Sequence, residues 1–394
     1  MEKLILIKYG EMTTKKGNRQ FFIKILLKNI NKALYGLTYS INNDNVRMYI
    51  NCDEKDFDEI IKRLKNVCGI HSFSCCYKCI SDLEDIKATC LEIVSHKQFK
   101  TFKCETNRAD KRFEIPSLEV SRLVGGHILK NIQDIKVDVH NPDIEINIDI
   151  RHDGTYIYFE QIQAIGGYPV GTLGKGLLMI SGGIDSPVAG FLSQKRGMEI
   201  ECIYFDSPPH TSLEALNKVE TLIKKLSKYQ ANIKLNIIPF TKIQEEIYKN
   251  VDPTYLITIM RRMMYRISER VAKEVHAEVI VNGENVGQVA SQTLKSLSCI
   301  NEVIKIPVIR PVVCFDKLEI IDIAKKIDTY ETSILPYEDC CTIFVPKHPV
   351  INPELNKCIE QEKMINYEEL IEEATKNRTT KIISSSEKKF EDIL

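Results

Sequence analysis

The sequence predicts a multidomain protein of mixed class, with α+β domains in its N-terminal part and a doubly wound α/β domain with a parallel sheet in its C-terminal part. Two observations carry this prediction. Up to about residue 165, strands and helices follow one another in an order typical of α+β domains, whereas later strands are nearly continuous apolar runs that alternate with helices. A chain of 394 residues is long enough for two or three domains.

Charge and cysteine content narrow the class of protein. Lys and Arg total 54 and Asp and Glu total 54, so only local patches could indicate nucleic acid or a membrane surface. No apolar run reaches the roughly eighteen residues of a membrane span, and the N-terminal MEKLILIKYGEM is too interrupted for a signal peptide. The 13 cysteines are an odd number, typical of free thiols in a reducing compartment. We therefore expect a cytoplasmic protein that does not enter a membrane.

The first eighty residues follow the order strand, helix, strand, strand, helix, strand. Apolar periodicity predicts helices from Arg19 to Leu34 and from Lys55 to Val67, and the turn residues 42–44 separate the two middle strands. The four strands are LILIKYG, LYGLTYSI, NVRMYIN and IHSFSCCYKCI. This order predicts a ferredoxin-like domain over residues 1–57, whose final strand extends to about residue 80.

A second domain is predicted over residues 58–165. Its helices run from about Asp82 to Ser95 and from about Ser117 to Asn131, with the strand QFKTFKCET between them. The strands DIEINIDIR and GTYIYFEQ then face each other across a turn at residues 152–154.

The third domain is predicted over residues 166–394, after a linker rich in glycine. The segments GLLMI, EIECIYF, NIKLNIIPF and EVIVN predict its buried parallel strands. The charged tail after about Asn366 predicts a helix that frays into disorder.

The stretch MISGGIDSPVAG, residues 179–190, lies where the strand GLLMI meets a helix predicted from Pro187 to Lys195. A strand-to-helix turn with two glycines exposes main-chain N–H groups and favours an anion, and the hydroxyls of Ser181 and Ser186 could also donate. It is not a Walker A loop, because Pro169 stands where that motif needs the glycine before Lys175. A tight turn without a ligand is the alternative that the glycine pair alone leaves open.

The full SGGIDS string resembles the pyrophosphate loop (PP-loop) of the ATP pyrophosphatases. Those enzymes split ATP into AMP and pyrophosphate and activate a carbonyl or carboxyl oxygen by adenylation. This resemblance implies ATP as the nucleotide and identifies a superfamily, without specifying the substrate.

A longer resemblance, to the tRNA 4-thiouridine synthases (tRNA sulfurtransferases), runs from the first strand to about residue 350. It rests on KYGEMTTKKGNRQFF, RADKRFEIPSLEV, VDVHNPDIEINIDIR, MRRMMYRISERVA, NGENVGQVASQTL, PVIRPVVCFDKLEI and YEDCCTIFVPKHP. It implies that the second domain is an RNA-binding THUMP domain and that the third is a PP-loop ATP pyrophosphatase domain. The implied activity is ATP-dependent thiolation of uridine 8 of tRNA to 4-thiouridine, with sulfur supply for thiamine thiazole synthesis as an added role.

The resemblance also implies positions for the nucleotide. These are Met179, Ile180, Ser181, Gly182, Gly183, Asp185, Ser186, Tyr204, Phe205, Arg261, Gly283 and Gln292. Asp185 has two open roles, a ligand of Mg²⁺ near the phosphates or a cap of the following helix. Glu284 and Asp316 are weaker carboxylate candidates, and we assign no metal-ligand set. For the apolar positions among the twelve, plain core packing is the alternative.

Two basic patches in the N-terminal domains could neutralise RNA phosphates. The predicted RNA-binding residues are Lys15, Lys16, Arg19, Arg108, Lys111 and Arg112. An ordinary solvated surface is the alternative for each patch taken alone. Two patches upstream of a nucleotide loop favour RNA.

Among the cysteines, Cys340 in YEDCCT matches the catalytic position of the family, where a persulfide would carry the sulfur. Cys341 aligns less securely, as a helper or a resolving thiol, and a buried cysteine pair is the alternative. CCYKC, residues 75–79, contains a CxxC, but packing within a strand is the favoured interpretation over zinc. Longer family members add a rhodanese domain, which we do not expect here because about forty residues follow His348.

The implied partners are tRNA, a cysteine desulfurase as persulfide donor and a sulfur carrier protein of the thiamine pathway, with a homodimer as the assembly. A thiolase for another nucleoside, an RNA-binding protein with an inactive nucleotide fold, and a THUMP-linked methyltransferase are the rival functions.

Overall fold

The computed structural model describes residues 2–14, 17–43, 47–337, 339–343, 346 and 348–385. The chain divides into two compact units, one of residues 1–24 and 33–167 and the other of residues 25–32 and 168–394. Within the described residues, no helix combines the length and the apolarity that crossing a bilayer requires.

The first part of the chain follows the predicted order of strands and helices. Its elements are β1 (Glu2–Lys8), α1 (Arg19–Ala33), β2 (Tyr39–Asn43), β3 (Arg47–Cys52), α2 (Glu54–Leu64), β4 (Ser72–Cys79), α3 (Leu83–Ser95), β5 (Thr101–Arg108), α4 (Ser117–Asn131), β6 (Lys136–Val137), β7 (Ile144–Arg151), β8 (Gly154–Tyr158) and β9 (Ile162–Gln163). The ferredoxin-like order β1-α1-β2-β3-α2-β4 is confirmed. The predicted turn at 42–44 is shorter on its N-terminal side, because β2 extends through Asn43, and Asp44 lies outside the described residues.

Among the described strands, β1 to β9 form one sheet in the order β2-β3-β1-β4-β8-β7-β5-β6, with β9 also paired to β4. The strand β4 is antiparallel both to β1 and to β8, with Cys76 opposite Leu4 and Tyr77 opposite Ile157. The ferredoxin-like domain and the domain that follows it therefore share a continuous sheet. Periodicity alone could not predict this, since it identifies the apolar face of a strand and not its neighbour.

The second part of the chain alternates strands and helices. Its elements are β10 (Lys175–Met179), α5 (Asp185–Lys195), β11 (Glu199–Asp206), α6 (Leu213–Leu226), β12 (Asn232–Pro239), α7 (Thr241–Asn250), α8 (Leu256–Glu274), β13 (Val279–Val281), α9 (Leu294–Asn301), β14 (Val308–Ile309), α10 (Lys317–Lys326), α11 (Tyr330–Ser333), α12 (Cys340–Ile343), α13 (Leu355–Glu362), α14 (Tyr367–Lys376) and β15 (Thr379–Ser384).

The described strands of this unit form a sheet in the order β14-β13-β10-β11-β12-β15, parallel except for β15. Leu177 of β10 packs in the same apolar cluster as residues of α8. Leu178, the next residue, faces α5, where a Cβ at Gly190 would lie 2.7 Å from Leu178 Cδ2. Helices therefore cover both faces of the sheet, and the doubly wound prediction is confirmed.

The strand order reverses at β10. The chain proceeds from β10 to β11 and β12 on one side, and then returns to place β13 on the other side. In open α/β sheets, ligands bind beyond the carboxyl ends of the strands at such a reversal. The glycine loop of residues 181–186 directly follows β10, so the fold puts it at that position.

The predicted fraying helix after Asn366 is wrong beyond Lys376. The chain there forms β15, which pairs antiparallel with β12 and sets Ile383 opposite Ile233. β-branched residues make up most of TTKIIS, which suits a strand. The charged residues of the tail led the sequence analysis to predict disorder where this short strand forms.

Candidate active site

The glycine loop is closed by its own two serine hydroxyls. Ser181 N–H donates to Ser186 Oγ at 2.9 Å, and Ser186 Oγ lies 3.2 Å from the Ser181 carbonyl oxygen, to which it donates. Gly183 N–H donates to Ser181 Oγ at 3.3 Å. These bonds fix the loop at the start of α5, where main-chain N–H groups favour an anion.

The N–H of Gly182 is bonded to a carboxylate of the same chain. It donates to Asp339, at 2.9 Å from Oδ1 and 3.1 Å from Oδ2. A Cβ at Gly182 would lie 3.2 Å from Lys218 Cδ and Cε, so the glycine also leaves room for that side chain. The loop therefore binds an anionic group in this structure, as a phosphate site requires.

Lys218 on α6 and Asp339 influence each other's ionisation. Burial raises the pKa of Asp339, while the Gly182 N–H and the Lys218 ammonium oppose that shift. Burial lowers the pKa of Lys218, and Asp339 opposes it. Lys218 Nζ donates to the carbonyl oxygens of Leu335 at 2.8 Å and Tyr337 at 3.4 Å. The segment that leads to Asp339 is thus bonded to α6 as well as to the glycine loop.

Cys340 follows Asp339 and begins α12. Its side chain is buried in the apolar cluster around α8, and the residue is 5% exposed. Gln244 on α7 donates from Nε2 to the Cys340 carbonyl oxygen at 2.7 Å. The predicted sulfur carrier is therefore adjacent in the chain to the carboxylate on the glycine loop. The side chain of Cys341 lies outside the described residues.

Asp185 is the first residue of α5, and its carboxylate bonds to two side chains. Lys317 Nζ lies 2.6 Å from Oδ1, and Gln288 Nε2 donates to Oδ2 at 2.9 Å. No side-chain cap bond is found at this helix start, so the capping role is not supported. Among the described residues, no group of three or more His, Cys, Asp or Glu could hold a metal. Asp185 fits Mg²⁺ only as one carboxylate beside phosphate oxygens, the way Mg²⁺ is often held.

Gly283, a predicted nucleotide position, is required by packing against the start of α5. A Cβ there would lie 2.6 Å from Ser186 N and 2.7 Å from Asp185 C. Both neighbours are main-chain atoms, which cannot move aside without displacing the loop. The glycine lets the turn after β13 approach the glycine loop, an effect the sequence could not distinguish from space for a ligand.

Glu284, the next residue, lies at the centre of a buried charge network. Its carboxylate accepts from Arg261 Nη2, from Arg310 Nε at 2.7 Å and from Tyr265 Oη at 2.8 Å. Asn282 Nδ2 donates to Tyr265 Oη at 2.7 Å. Burial alone would raise the pKa of Glu284, but the two guanidinium groups outweigh it, and the pKa is lowered. The network fixes Arg261 beside the carboxyl end of β13.

Gln292 stabilises the loop that follows β13 through two hydrogen bonds. Its Oε1 accepts from Asn285 N–H at 3.3 Å, and its carbonyl oxygen accepts from Gly287 N–H at 2.9 Å. Asn285 Nδ2 donates to the carbonyl oxygens of Val312 and Phe315 at 2.8 and 2.6 Å. In this structure, Gln292 therefore shapes the loop that follows β13.

The positions predicted to border adenosine lie at the ends of β10 and β11. Ile180, Tyr204 and Phe205 are buried, and Met179 is half-buried. Ile180 N–H donates to the Ile203 carbonyl oxygen at 3.0 Å. The three buried side chains therefore belong to the core. These positions could contact a nucleotide only through their main-chain atoms.

The predicted RNA-binding residues have different environments. Arg108 Nη1 donates to the Phe113 carbonyl oxygen at 2.6 Å, which braces the loop before α4. Arg112 forms an ion pair with Asp110 at 2.6 Å, and Lys111 is exposed. Arg19 begins α1. Lys15 and Lys16 lie outside the described residues.

Asp316 and the CCYKC segment, two further candidates, have contacts that are typical of structural residues. Asp316 precedes α10, and its N–H donates to Glu319 Oε2 at 2.8 Å, as in a helix N-terminal cap. In CCYKC, Cys76 packs in an apolar cluster with Leu4, Leu6 and Tyr156, and burial raises its pKa.

Sequence reasoning missed Lys317, Gln288, Lys218, Arg310 and Asp339. Lys317 and Arg310 lie within PVIRPVVCFDKLEI, the block from which Asp316 was selected, and Asp339 immediately precedes the selected Cys340. These residues reach the glycine loop and β13 from 26 to 157 positions away. Only the fold brings such distant positions together.

Comparison with known proteins agrees with this architecture. Three protein-family models match the chain: the ThiI ferredoxin-like domain over residues 4–74, the THUMP domain over 81–160 and the thiamine biosynthesis protein ThiI over 171–367. "Probable tRNA sulfurtransferase" of Geobacillus sp. (strain WCH70) is 47% identical over 99% of this chain and 98% of its own length. The protein of that name from Acholeplasma laidlawii is 46% identical, over 98% and 94% respectively.

A solved structure resembles the whole chain. The crystal structure of a 4-thiouridine synthetase in complex with RNA and bound ATP superposes with a TM-score of 0.89 at 37% identity, covering 98% of this chain and 100% of its own. With near full-length identity to the sulfurtransferases and all three domains matched, this chain belongs to the ThiI family of tRNA sulfurtransferases.

Proposed function

We propose that this tRNA sulfurtransferase adenylates the O4 of uridine 8 in tRNA with ATP and replaces that oxygen with sulfur from Cys340, giving 4-thiouridine. One observation carries the proposal: the carboxylate next to Cys340 is bonded to the Gly182 N–H of the glycine loop. An anion site and a residue next to the cysteine are thus bonded to each other where the strand order of the sheet reverses. The 4-thiouridine synthetase solved with RNA and ATP supports the choice of both substrates.

The first chemical step would take place at the glycine loop. The uridine O4 attacks the α-phosphorus of ATP, the bond to the β-phosphate oxygen breaks, and pyrophosphate leaves. Main-chain N–H groups at the start of α5 would stabilise the negative charge of the phosphates. Mg²⁺, when bound, would supply further charge neutralisation, with Asp185 as its protein ligand.

The second step would transfer sulfur. The terminal sulfur of a Cys340 persulfide attacks C4 of the uridine, and AMP leaves as the C4–O bond breaks. A second thiolate then attacks the Cys340 sulfur, which breaks the S–S bond, releases 4-thiouridine and leaves a disulfide. Cys341 or a small thiol supplies that thiolate, and a thiol reductant restores the enzyme.

The substrate would be held by the N-terminal modules. Arg108 ends β5, and the loop between β5 and α4 carries Lys111 and Arg112. Basic side chains bind RNA mainly through its phosphates. We further propose a cysteine desulfurase as the persulfide donor, a sulfur carrier protein as a second acceptor for thiamine synthesis, and a homodimer as the assembly.

A reconstituted reaction tests the proposal. Purified protein is mixed with unmodified tRNA, ATP, Mg²⁺, cysteine and a cysteine desulfurase, and 4-thiouridine is followed by its near-ultraviolet absorbance. Cys340→Ala should abolish 4-thiouridine while AMP formation and tRNA binding persist. Cys314→Ser removes an exposed cysteine of the same unit and should keep activity. Full thiolation by Cys340→Ala would exclude Cys340 as the carrier.

A thiolase for another nucleoside is the alternative function. Mass spectrometry of nuclease digests distinguishes the two, because it reports both the modified base and its position. Sulfur found only at another uridine would overturn the assignment to position 8.

A further inference from the structure

The Gly182 N–H that would receive a phosphate already donates to a carboxylate. Both Asp339 oxygens lie within 3.1 Å of it. Carboxylate and phosphate oxygens are both anionic acceptors, and one N–H cannot serve both with normal geometry. Asp339 and a bound nucleotide phosphate would also repel each other at such short range.

We propose that Asp339 is an internal competitor of ATP: its carboxylate and the pyrophosphate part of ATP bind Gly182 N–H by turns, so that ATP binding releases the segment carrying Cys340. The proposal rests on the proposed function, since it takes the glycine loop as the pyrophosphate site and Cys340 as the sulfur carrier.

The contacts around Asp339 explain how the loss of its bond to Gly182 would free the segment that contains Cys340. Lys218 Nζ bonds to the carbonyl oxygens of Leu335 and Tyr337, and Gln244 bonds to that of Cys340. These bonds and the Asp339 contact hold residues on both sides of the carboxylate. Once the carboxylate leaves the loop, its electrostatic stabilisation of the Lys218 ammonium and its bond to the Gly182 N–H are lost together.

We call the arrangement with Asp339 bonded to the Gly182 N–H the closed state, and it limits access to Cys340. Cys340 is 5% exposed, so a persulfide donor cannot reach its sulfur while Asp339 occupies the loop. Cys340 would receive a persulfide only after ATP has bound, so without ATP no persulfide is exposed to thiols in solution. The enzyme thereby enforces an order in which ATP binding precedes exposure of the Cys340 sulfur.

The rate at which Cys340 is alkylated tests this order. The full-length Cys341→Ser protein is pulsed with N-ethylmaleimide, and mass spectrometry follows the peptide that contains Cys340. ATP and inorganic pyrophosphate should each raise the alkylation rate at least several-fold, whereas AMP, which lacks the pyrophosphate, should not. An unchanged or lower rate with saturating ATP would overturn the proposal.

Two variants remove the closed state from different sides. Asp339→Asn keeps an oxygen that can accept from Gly182 but removes the charge. If the site is about nine-tenths closed, this change lowers the Kd for ATP roughly tenfold. Lys218→Met keeps the packing of the side chain on Gly182 but removes the ammonium, so Cys340 should be alkylated fast without ATP. Asp322→Asn, an exposed carboxylate on α10, is the control and should change neither quantity.

The outcomes separate this proposal from the proposed function. If Asp339 were a static anchor, Asp339→Asn would leave the Kd for ATP unchanged or raise it, and the competitor role would be excluded while thiolation by the parent protein stood. If the parent protein neither bound ATP by calorimetry nor thiolated tRNA, the proposed function itself would fail.

Discussion

Lys317 Nζ lies 2.6 Å from Asp185 Oδ1, across 132 residues of sequence. Asp185 is the first residue of α5, directly after the glycine loop, and Lys317 is the first residue of α10. Gln288 donates to the other carboxylate oxygen. The carboxylate is therefore held in one position, with a cation beside the place where phosphates would bind.

Lys317→Met should lower ATP-dependent AMP formation at least tenfold, because it removes that cation and the bond that positions the Asp185 carboxylate beside the phosphates. Stability should change by less than about 1 kcal/mol, because the ion pair is partly exposed. AMP release with tRNA present and a urea titration measure the two effects. Lys326→Met, at the exposed end of α10, is the matched control, and equal activity of the two variants would count against a role for Lys317.

Gly283→Ala should disturb the glycine loop. The added Cβ would lie 2.6 Å from Ser186 N, and the main chain must move to relieve that contact, at a cost of about 1–3 kcal/mol. We expect lower stability together with weaker ATP binding, measured by urea titration and calorimetry. Gly126→Ala in α4 is the control, because nothing lies within 4 Å of a Cβ there and alanine favours a helix. Normal ATP affinity in Gly283→Ala would show that the close approach is not needed.

Much of the fold could be predicted because each element has a local signal. The helix Ser117–Asn131 has the predicted bounds, and the strand-to-helix turn at the glycine loop follows from two glycines after an apolar run. The shared sheet could not be predicted, since β4 pairs with β8 through residues that lie 76 to 80 positions apart in the sequence. The strand β15 was missed because its edge position leaves most of its side chains exposed.

The site was predictable only where one segment carries the chemistry. The glycine loop and Cys340 belong to recognisable strings, whereas Asp339 and Lys317 acquire their roles from contacts across 157 and 132 residues. Gly283 shows a further limit. A glycine needed for packing against Ser186 and one needed for a ligand have the same signature in a sequence.

Lys111→Ala should weaken tRNA binding and make it less sensitive to salt. The side chain is exposed in the loop before α4, and removing one phosphate contact lowers the slope of log K against log salt by about 1. Filter binding at several salt concentrations measures the slope. Lys130→Ala is the control, because Lys130 lies at the far end of α4, roughly 20 Å along the helix. If both variants gave the same slope, we would conclude that this loop does not contact the RNA.

Glu284→Gln should destabilise the catalytic unit by about 3–5 kcal/mol near neutral pH, because two buried guanidinium groups lose their anionic partner. Arg261 and Arg310 would then face a neutral amide. Urea titration followed by circular dichroism measures the loss. Glu331→Gln, an exposed glutamate of the same unit, is the control and should have little effect.

The pH dependence provides a sharper test of the same carboxylate. The pKa of Glu284 is lowered in the folded protein, so its contribution to the free energy of unfolding is complete above the unfolded pKa of about 4.3 and is lost as pH falls through the folded pKa. The stability difference between the parent protein and Glu284→Gln should therefore be largest near pH 7 and shrink below about pH 4. A difference that stays constant between pH 7 and pH 3 would mean that packing, and not the charge of Glu284, stabilises the turn after β13.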